Sequence, residues 1–461
     1  MNLYEADGSF ICEHDFLFLS GAGDVNGDGY DDIIISEPRN NDEGTNSGKT
    51  FLFFGRSGGF GVETHLSEAD VCFTGEQEEW AGFSVSGAGD VNGDGYDDIL
   101  IGAFPSGGIV EHVGRAYLIF GKATGWATHT PLSDADASFV GPPSEDWSGS
   151  WITGVGDVNG DGYDDFLIAA HWRGKEWSDN TARVYLIFGH SSGWRKDVPM
   201  SESNITFISH GWFDYENAIY PLLGWMVAKA GDVNGDGFDD ILIGAFWDDE
   251  GGAEAGQTYL VFGRPGGGES FEIGLSEAAN ASFIGEFSGD RSGGGLSGGG
   301  DFNGDGYDDI LIGSYLNDGG GNDSGQTYLI FGKPNGWAKD RSLSEADVSF
   351  VGEEAEDYSG WPVSIAGDVN GDGYDDILIG ASGNDYGATN AGQTYLQCRQ
   401  ERKGDVNFDG QMDAADVILA VNILIRLADS PPAQIWAADY DGDGTINVLD
   451  IVQVINIILG D

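Results

Sequence analysis

The chain has 461 residues, 78 of them acidic and only 20 basic, and its formal charge of -58 opposes nucleic acid phosphates and anionic membrane surfaces while favouring cations. Its length exceeds what one ordinary core holds, so two domains or a repeat architecture are expected. Hydrophobic residues at 40% and 77 glycines favour short packed strands joined by tight turns over helices.

The chain opens with NLYEADGSF after Met1, which shows neither a basic n-region nor an apolar h-region, so no signal peptide is visible. Residues Leu3 to Asp7 resemble a later LSEAD segment, and Ser9 to Cys12 is a strand candidate, so the chain begins on the last strand of a repeating unit.

That unit dominates the sequence. GDVNGDGYDD, or a close variant, places its first Asp at positions 24, 90, 157, 232, 301 and 368. Each copy leads into an apolar run such as Ile99 to Phe104, a Gly-rich turn and a second run such as Ala116 to Phe120, closed by Gly121. A strand candidate precedes each loop, as in Gly82 to Ser86, and another follows a longer connection, as in Ala137 to Val140 after LSDAD. Four short strands per repeat make a propeller blade, and radial packing covers sheet faces that independent modules would leave bare. The expected fold is an all-β, six-bladed β-propeller, with seven blades the alternative. The extra residues around Asn217 to Gly224 are too few for another blade.

The sixth unit ends on its third strand, Tyr395 to Cys398, so the N-terminal strand can supply the fourth and close the ring. Closure would set Cys12 and Cys398 on neighbouring strands, where a disulfide is possible, against the alternative of two buried thiols. No CxxC spacing or His cluster accompanies Cys12, Cys72 and Cys398, so a zinc or redox site has no support.

Within each loop, oxygen-bearing residues fall at positions 1, 3, 5, 7 and 9, position 7 offering its carbonyl. The candidate metal ligands are Asp24, Asn26, Asp28, Tyr30 and Asp32 in the first copy, and Asp90, Asn92, Asp94, Tyr96 and Asp98 in the second. Asp157, Asn159, Asp161, Tyr163 and Asp165 follow, then Asp232, Asn234, Asp236, Phe238 and Asp240. Asp301, Asn303, Asp305, Tyr307 and Asp309 form the fifth set, and Asp368, Asn370, Asp372, Tyr374 and Asp376 the sixth. Such oxygen sets suit a hard cation of flexible coordination; Ca2+ fits better than Mg2+, which keeps several waters, and Zn2+ would want His or Cys. Uncompensated carboxylates ~4 Å apart repel by about 1 kcal/mol per pair even at the dielectric constant of water. Glycine at position 6 permits the left-handed backbone that wraps the loop, and the position-2 side chain can anchor it in the core. The plainer reading, Asx turns without metal, weakens when all six copies keep every ligand position.

These loops and their flanks, AGFSVSGAGDVNGDGYDDILIGA and GQTYLIFG among them, resemble the FG-GAP repeat, the blade unit of the integrin α-subunit propeller. The resemblance implies a propeller with calcium sites between a blade's first two strands. Integrin heads have seven blades and load only some of them, whereas this chain shows six, all with ligands.

After Arg399 to Lys403 the pattern changes. Asp405, Asn407, Asp409, Gln411, Asp413 and Asp416 fit positions 1, 3, 5, 7, 9 and 12 of an EF-hand-like loop, and Asp439, Asp441, Asp443, Thr445, Asn447 and Asp450 repeat them 34 residues later. Each loop leads into an apolar helical segment, DVILAVNILI or DIVQVINIIL. Asp stands at position 12 in place of Glu, and no full helix precedes the first loop; both features resemble the type I dockerin domain. The expected domains are a propeller over residues 1–399, a linker over 400–403 and a dockerin over 404–461. The resemblance implies two further Ca2+ sites and docking to a cohesin domain of a scaffold or cell-surface protein. Loop positions 10 and 11, which help choose the partner in that family, are Ala414 and Ala415, then Val448 and Leu449, with helix-start packing the alternative role for this apolar set.

The apolar stretch Val417 to Leu427 is interrupted by Asn422 and Arg426 and is too short for a bilayer, so no membrane insertion is expected. Catalytic signals are weak. Gly295-Leu296-Ser297-Gly298-Gly299 matches a nucleophile elbow formally but sits in register with VSGAGD of other units, and His171 is one of seven scattered histidines. Trp80, Trp126, Trp147, Trp194 and Trp337 recur with the repeat, as blade packing or as a sugar-stacking rim. The expectation is a non-catalytic binding or adhesion propeller, extracellular or at the cell surface, with a glycan or protein ligand on one face. The alternatives are a glycoside hydrolase or lyase of a polysaccharide-degrading assembly, and an intracellular acidic protein.

Overall fold

A computed structural model describes residues 9–12, 18–104, 113–142, 147–171, 181–210, 226–266, 270–370, 373–385, 392–398, 414–424, 438, 440 and 446–459. The segment Leu3 to Asp7, the insertion Asn217 to Gly224 and the linker 400–403 lie outside them. The six repeats fold into six antiparallel sheets, those of a six-bladed β-propeller, and the count of six rather than seven stands. Two compact units are present, one of residues 1–231, 237–294 and 337–342, the other of 232–236, 295–336 and 343–461.

In the first unit the second repeat shows the plan. Ser84–Gly89 pairs antiparallel with Asp98–Ala103, that strand with Arg115–Ile119, and that one with Ala137–Val140. The segment DILIGA is buried along its whole length because it lies mid-sheet with both faces covered, which is why it reads as an unbroken apolar run. Buried side chains join adjacent sheets. Ile34, Leu52 and Phe73 of the first repeat pack with Val85, Ile99 and Ile101 of the second. Leu100 and Leu118 pack with Ile152 and Phe166 of the third, and Leu167 and Val184 with Ile241 and Ile243 of the fourth. In the second unit Phe302, Leu311 and Leu329 of the fifth repeat pack with Val363, Ile377 and Ile379 of the sixth. Each such side chain removed from water contributes about 1.5–3 kcal/mol, and this stacking leaves no place for independent modules.

The LSEAD segments have a definite task. Each forms one short helical turn, Leu66–Glu68 being the first, whose leading apolar residue is buried: Leu66, Leu132, Met200, Leu275 and Leu343. The residue that ends the segment caps the strand leading to the Phe-Gly pair, since Asp70 accepts the Phe54 amide at 2.9 Å and Asp136 the Phe120 amide at 2.9 Å.

Four strands per unit is an undercount. The residues just before the four later helical turns add a fifth, parallel strand to the preceding repeat's sheet, as His129–Pro131 does beside Val71–Thr74 and Phe271–Gly274 beside Ile205–His210. These straps cover an outer edge that would otherwise present unpaired backbone groups. Phe10–Ile11 pairs with Thr64–His65 in the same parallel manner. The sheet of the sixth repeat has three strands among the described residues, Ser359–Gly367, Asp376–Ala381 and Gln393–Gln397.

The Cys12 and Cys72 thiols are unbonded in the first unit. The Cys12 side chain is taken up by an apolar cluster of the first repeat with Phe10, Phe53, Leu66 and Cys72, where burial pushes the Cys72 thiol up to about 11.

At the C-terminal end the helices Ala414–Leu424 and Val448–Leu459 pack through Ala420, Ile423 and Ile451, with Ala438 in the same cluster. No helix among the described residues is long and apolar enough to cross a membrane.

Candidate functional site

Each Asp-rich loop joins a sheet's first two strands. In the second repeat it runs from Asp90 to Asp98, and position 6, Gly95, has φ +91°, the left-handed value expected there. Position 2 is buried at Val25, Val91, Val158, Val233 and Phe302, while Val369 in the sixth copy is 56% exposed.

The carboxylates hold the loop by its own amides. Asp90 Oδ1 accepts the Gly93 and Asp94 amides at 2.7 and 3.0 Å, and Oδ2 that of Gly95 at 2.8 Å. Asp24, Asp157 and Asp301 repeat all three bonds. Asp94 Oδ1 accepts the Tyr96 amide at 3.2 Å. Position 9 ties the loop to the end of the third strand: Asp98 accepts the Val91 amide at 3.1 Å and the Gly121 amide at 2.8 Å. Asp32, Asp165 and Asp309 do the same with Gly55, Gly189 and Gly332.

Burial pushes the Asp98 carboxyl up to about 8, and the Asp94 and Asp90 charges push the same way against the two amides. Asp165 is likewise pushed up to about 8 and Asp32 to about 6, while Asp309 is raised well above the usual carboxylate range, burial being the first cause each time. The position-9 carboxyl thus sits in a field, set by burial and by the charges at positions 5 and 1, that a cation would relieve. The donor set, carboxylate and amide oxygens with a backbone carbonyl, fits a hard cation. As the side chains stand, no group of three Asp, Glu, His or Cys among the described residues converges into a metal cage. Each carboxylate oxygen has two lone-pair positions, so an oxygen that accepts one amide can still serve a metal. At position 3 of the third loop the buried Asn159 amide nitrogen has no hydrogen-bond partner. Asp372 lies outside the described residues.

Positions 7 and 8, one read only for its carbonyl and the other given no role in sequence, reach the preceding loop. Asp97 Oδ2 accepts the amide of Asp24 at 2.8 Å, and Asp164 that of Asp90 at 2.8 Å. Asp239 bonds Asp157 at 2.9 Å, Asp308 bonds Asp232 and Asp375 bonds Asp301, both at 2.8 Å. The aromatic ring at position 7 lies over the glycine at position 4 of that loop: a Cβ on Gly93 would stand 2.4 Å from the Tyr163 ring, and one on Gly160 2.2 Å from Phe238. The residue after the Phe-Gly pair completes the seam, the Lys122 amide bonding the Val25 carbonyl at 2.8 Å. A signal was present in the sequence, since YDD or FDD closes every copy although the ligand pattern needs only the final Asp.

The remaining candidates fall outside this site. Gly295 to Gly299 lies inside the strand Ser292–Gly300 and forms no nucleophile elbow. Trp126 and Trp194 donate their indole N–H to Lys122 and His190 carbonyls at 2.7 Å and pack on Phe54 and Phe120, which is blade packing. Trp337 packs on Phe262, and Trp80 on Phe83 and Phe104. The side chains of Trp147 and His171 lie outside the described residues.

Of the C-terminal set, Asp405, Asn407, Asp409, Gln411, Asp413, Asp439, Asp441, Asp443 and Thr445 lie outside the described residues, as do the side chains of Asp416, Ala414, Ala415 and Leu449. Asp450 is buried and accepts the Asn447 amide at 2.8 Å. Val448 is 64% exposed.

Residues 19–53, 81–118, 149–187, 224–261, 292–330 and 360–396 match the FG-GAP repeat, and residues 403–459 match the dockerin type I domain. The chain is an FG-GAP repeat protein with a type I dockerin domain. Both families generally bind calcium. Among its relatives, integrin alpha pat-2 of Caenorhabditis briggsae is 28% identical over 253 residues, 52% of this chain and 18% of that protein. Integrin alpha-PS2 of Drosophila melanogaster is 30% identical over 251 residues, 53% of this chain and 16% of that protein. Human phosphatidylinositol-glycan-specific phospholipase D is 31% identical over 209 residues, 44% of this chain and 23% of that protein. The chain thus spans less than a quarter of the length of these curated relatives.

Proposed function

We propose that the FG-GAP repeats form a non-catalytic, calcium-stabilised binding or adhesion propeller, held on a cohesin-bearing scaffold or cell surface outside the cell by the dockerin. The observation that carries this reading is the repeated oxygen-donor loop, present in all six repeats of a chain that ends in a dockerin.

In each loop the side chains at positions 1, 3, 5 and 9 and the carbonyl at position 7 would hold Ca2+, and the ion would supply positive charge where burial, with the neighbouring carboxylates, now raises the position-9 carboxyls. The chain's own residues do the rest. Position 6 turns the backbone, position 2 roots the loop in the core, and position 9 links it to the third strand. Calcium is structural in this account, and recognition belongs to surfaces that the loops hold in place. The dockerin's two loops are assigned two further ions, and the exposed Val448, with Leu449, Ala414 and Ala415, is assigned to the cohesin contact.

The experiment is glycan-array and cohesin binding by the full chain, with calcium and with chelator. Calcium-dependent cohesin capture together with ligand binding supports the reading. Polysaccharide cleavage without glycan binding replaces it with the enzyme alternative.

A further inference from the structure

The main-chain amide of Asp90 and its carboxylate face different partners. The carboxylate gathers Gly93, Asp94 and Gly95 of its own loop, while the amide is bound by Asp164 of the following repeat. Beside that bond the Asp164 amide returns to the Asp90 carbonyl at 3.2 Å, and the His190 amide holds the Val91 carbonyl at 2.9 Å. The Tyr163 ring closes over Gly93. Positions 1, 2 and 4 of the loop are therefore set by residues that belong to the next repeat. The arrangement recurs between the Asp157 loop and Asp239 with its neighbours, and between the Asp301 loop and Asp375.

A carboxylate that orients one backbone amide fixes the peptide plane, and with it the direction in which the position-1 side chain leaves the chain. We propose that the position-8 aspartates Asp97, Asp164, Asp239, Asp308 and Asp375 are positioning residues for the cation site of the loop before their own, so that each repeat completes its predecessor's site. The proposal rests on the reading that these loops take calcium. Position 8 acts through the neighbour's amide and needs no contact with the ion. Its acceptor oxygen, rather than its charge, is the working part. A calcium ion bound in one loop then favours the seam to the next repeat, which links loop filling to the joining of blades.

The test measures calcium binding by the full chain, by competition with a fluorescent chelator and by native mass spectrometry, for D97A, D97N, D164A, D28A and D28A/D97A. In D97A one bound calcium should weaken by about tenfold, the scale of a lost hydrogen bond to a charged group. D97N keeps an acceptor oxygen for the Asp24 amide and should stay within about threefold of the parent chain. In D28A, where the Asp24 loop has already lost a ligand, adding D97A should change calcium binding no further, and D164A should act on the Asp90 loop alone. Unchanged calcium affinities in D97A, with only a lower melting temperature, overturn the proposal and leave Asp97 a plain staple between blades. D97N as weak as D97A also overturns it, because charge would then be what matters. A parent chain that binds no calcium overturns this proposal and the functional reading beneath it, whereas a parent that binds calcium with D97A unaffected overturns the proposal alone.

Discussion

Asp97 Oδ2 accepts the main-chain amide of Asp24 at 2.8 Å, so the closing residues of one Asp-rich loop hold the opening residue of the loop before it. Four further pairs keep the same bond. Loops that look like separate nine-residue devices are thus joined in series within each unit of the chain.

The seam makes a demand on glycine at position 4. Gly93 has φ +75°, and a Cβ there would meet the Tyr163 ring at 2.4 Å. Gly93→Ala should lower the unfolding free energy by about 2 kcal/mol or more, read from the urea midpoint. Gly58→Ala, where nothing lies within 4 Å of the new Cβ, should stay within about 0.5 kcal/mol of the parent.

The pH dependence of the calcium-free chain follows from position 9. Asp98 and Asp165, pushed up to about 8, keep in the folded state protons that the unfolded chain has released above its ordinary carboxylate value of 3.8. Between these values the folded chain binds more protons, so stability falls as pH rises. In chelator the melting temperature should decline from pH 5 to pH 8. With saturating calcium, which requires the deprotonated carboxylates, the decline should disappear or reverse. Equal profiles in the two conditions, followed by circular dichroism, would count against cation binding at these carboxylates.

Between the first two sheets Glu79 accepts a short hydrogen bond from the Tyr117 hydroxyl, and burial raises the Glu79 carboxyl despite that bond. Tyr117→Phe removes the donor and should destabilise the fold by about 1–3 kcal/mol, more at the higher than at the lower of two pH values that bracket the Glu79 titration. Chemical denaturation at the two pH values measures the difference. No difference between them would detach Glu79 from the pH response.

Val448 projects from the start of the last helix with 64% of its surface exposed. Val448→Asp combined with Leu449→Asp should reduce cohesin capture by at least about tenfold, a loss typical of a buried apolar anchor, with helix content unchanged. Capture that survives the double change would place the docking contact elsewhere.

Much of the fold was legible because the repeat is written six times. The buried position 2, the left-handed Gly95 and the unbroken DILIGA strand each follow from local pattern. What escaped lies between repeats. Asp97 and Tyr96 look like loop filler until the neighbouring loop is beside them, and the strap His129–Pro131 carries too little apolar pattern to read as a strand. Strand phase does not say where a side chain packs, so the place of Cys12 beside Phe10 and Leu66 was not legible either. Roles for Asp28 and Asp94 as ligands rest on spacing, since in the structure these carboxylates accept amides of their own loops.

Counting calcium tests the central claim most directly. Native mass spectrometry of the full chain at millimolar free calcium should find eight ions, and calorimetry in excess chelator should show a melting temperature lower by at least about 10 °C, as linkage to several structural ions requires. A chain that binds no calcium and melts at the same temperature in both conditions would contradict the account.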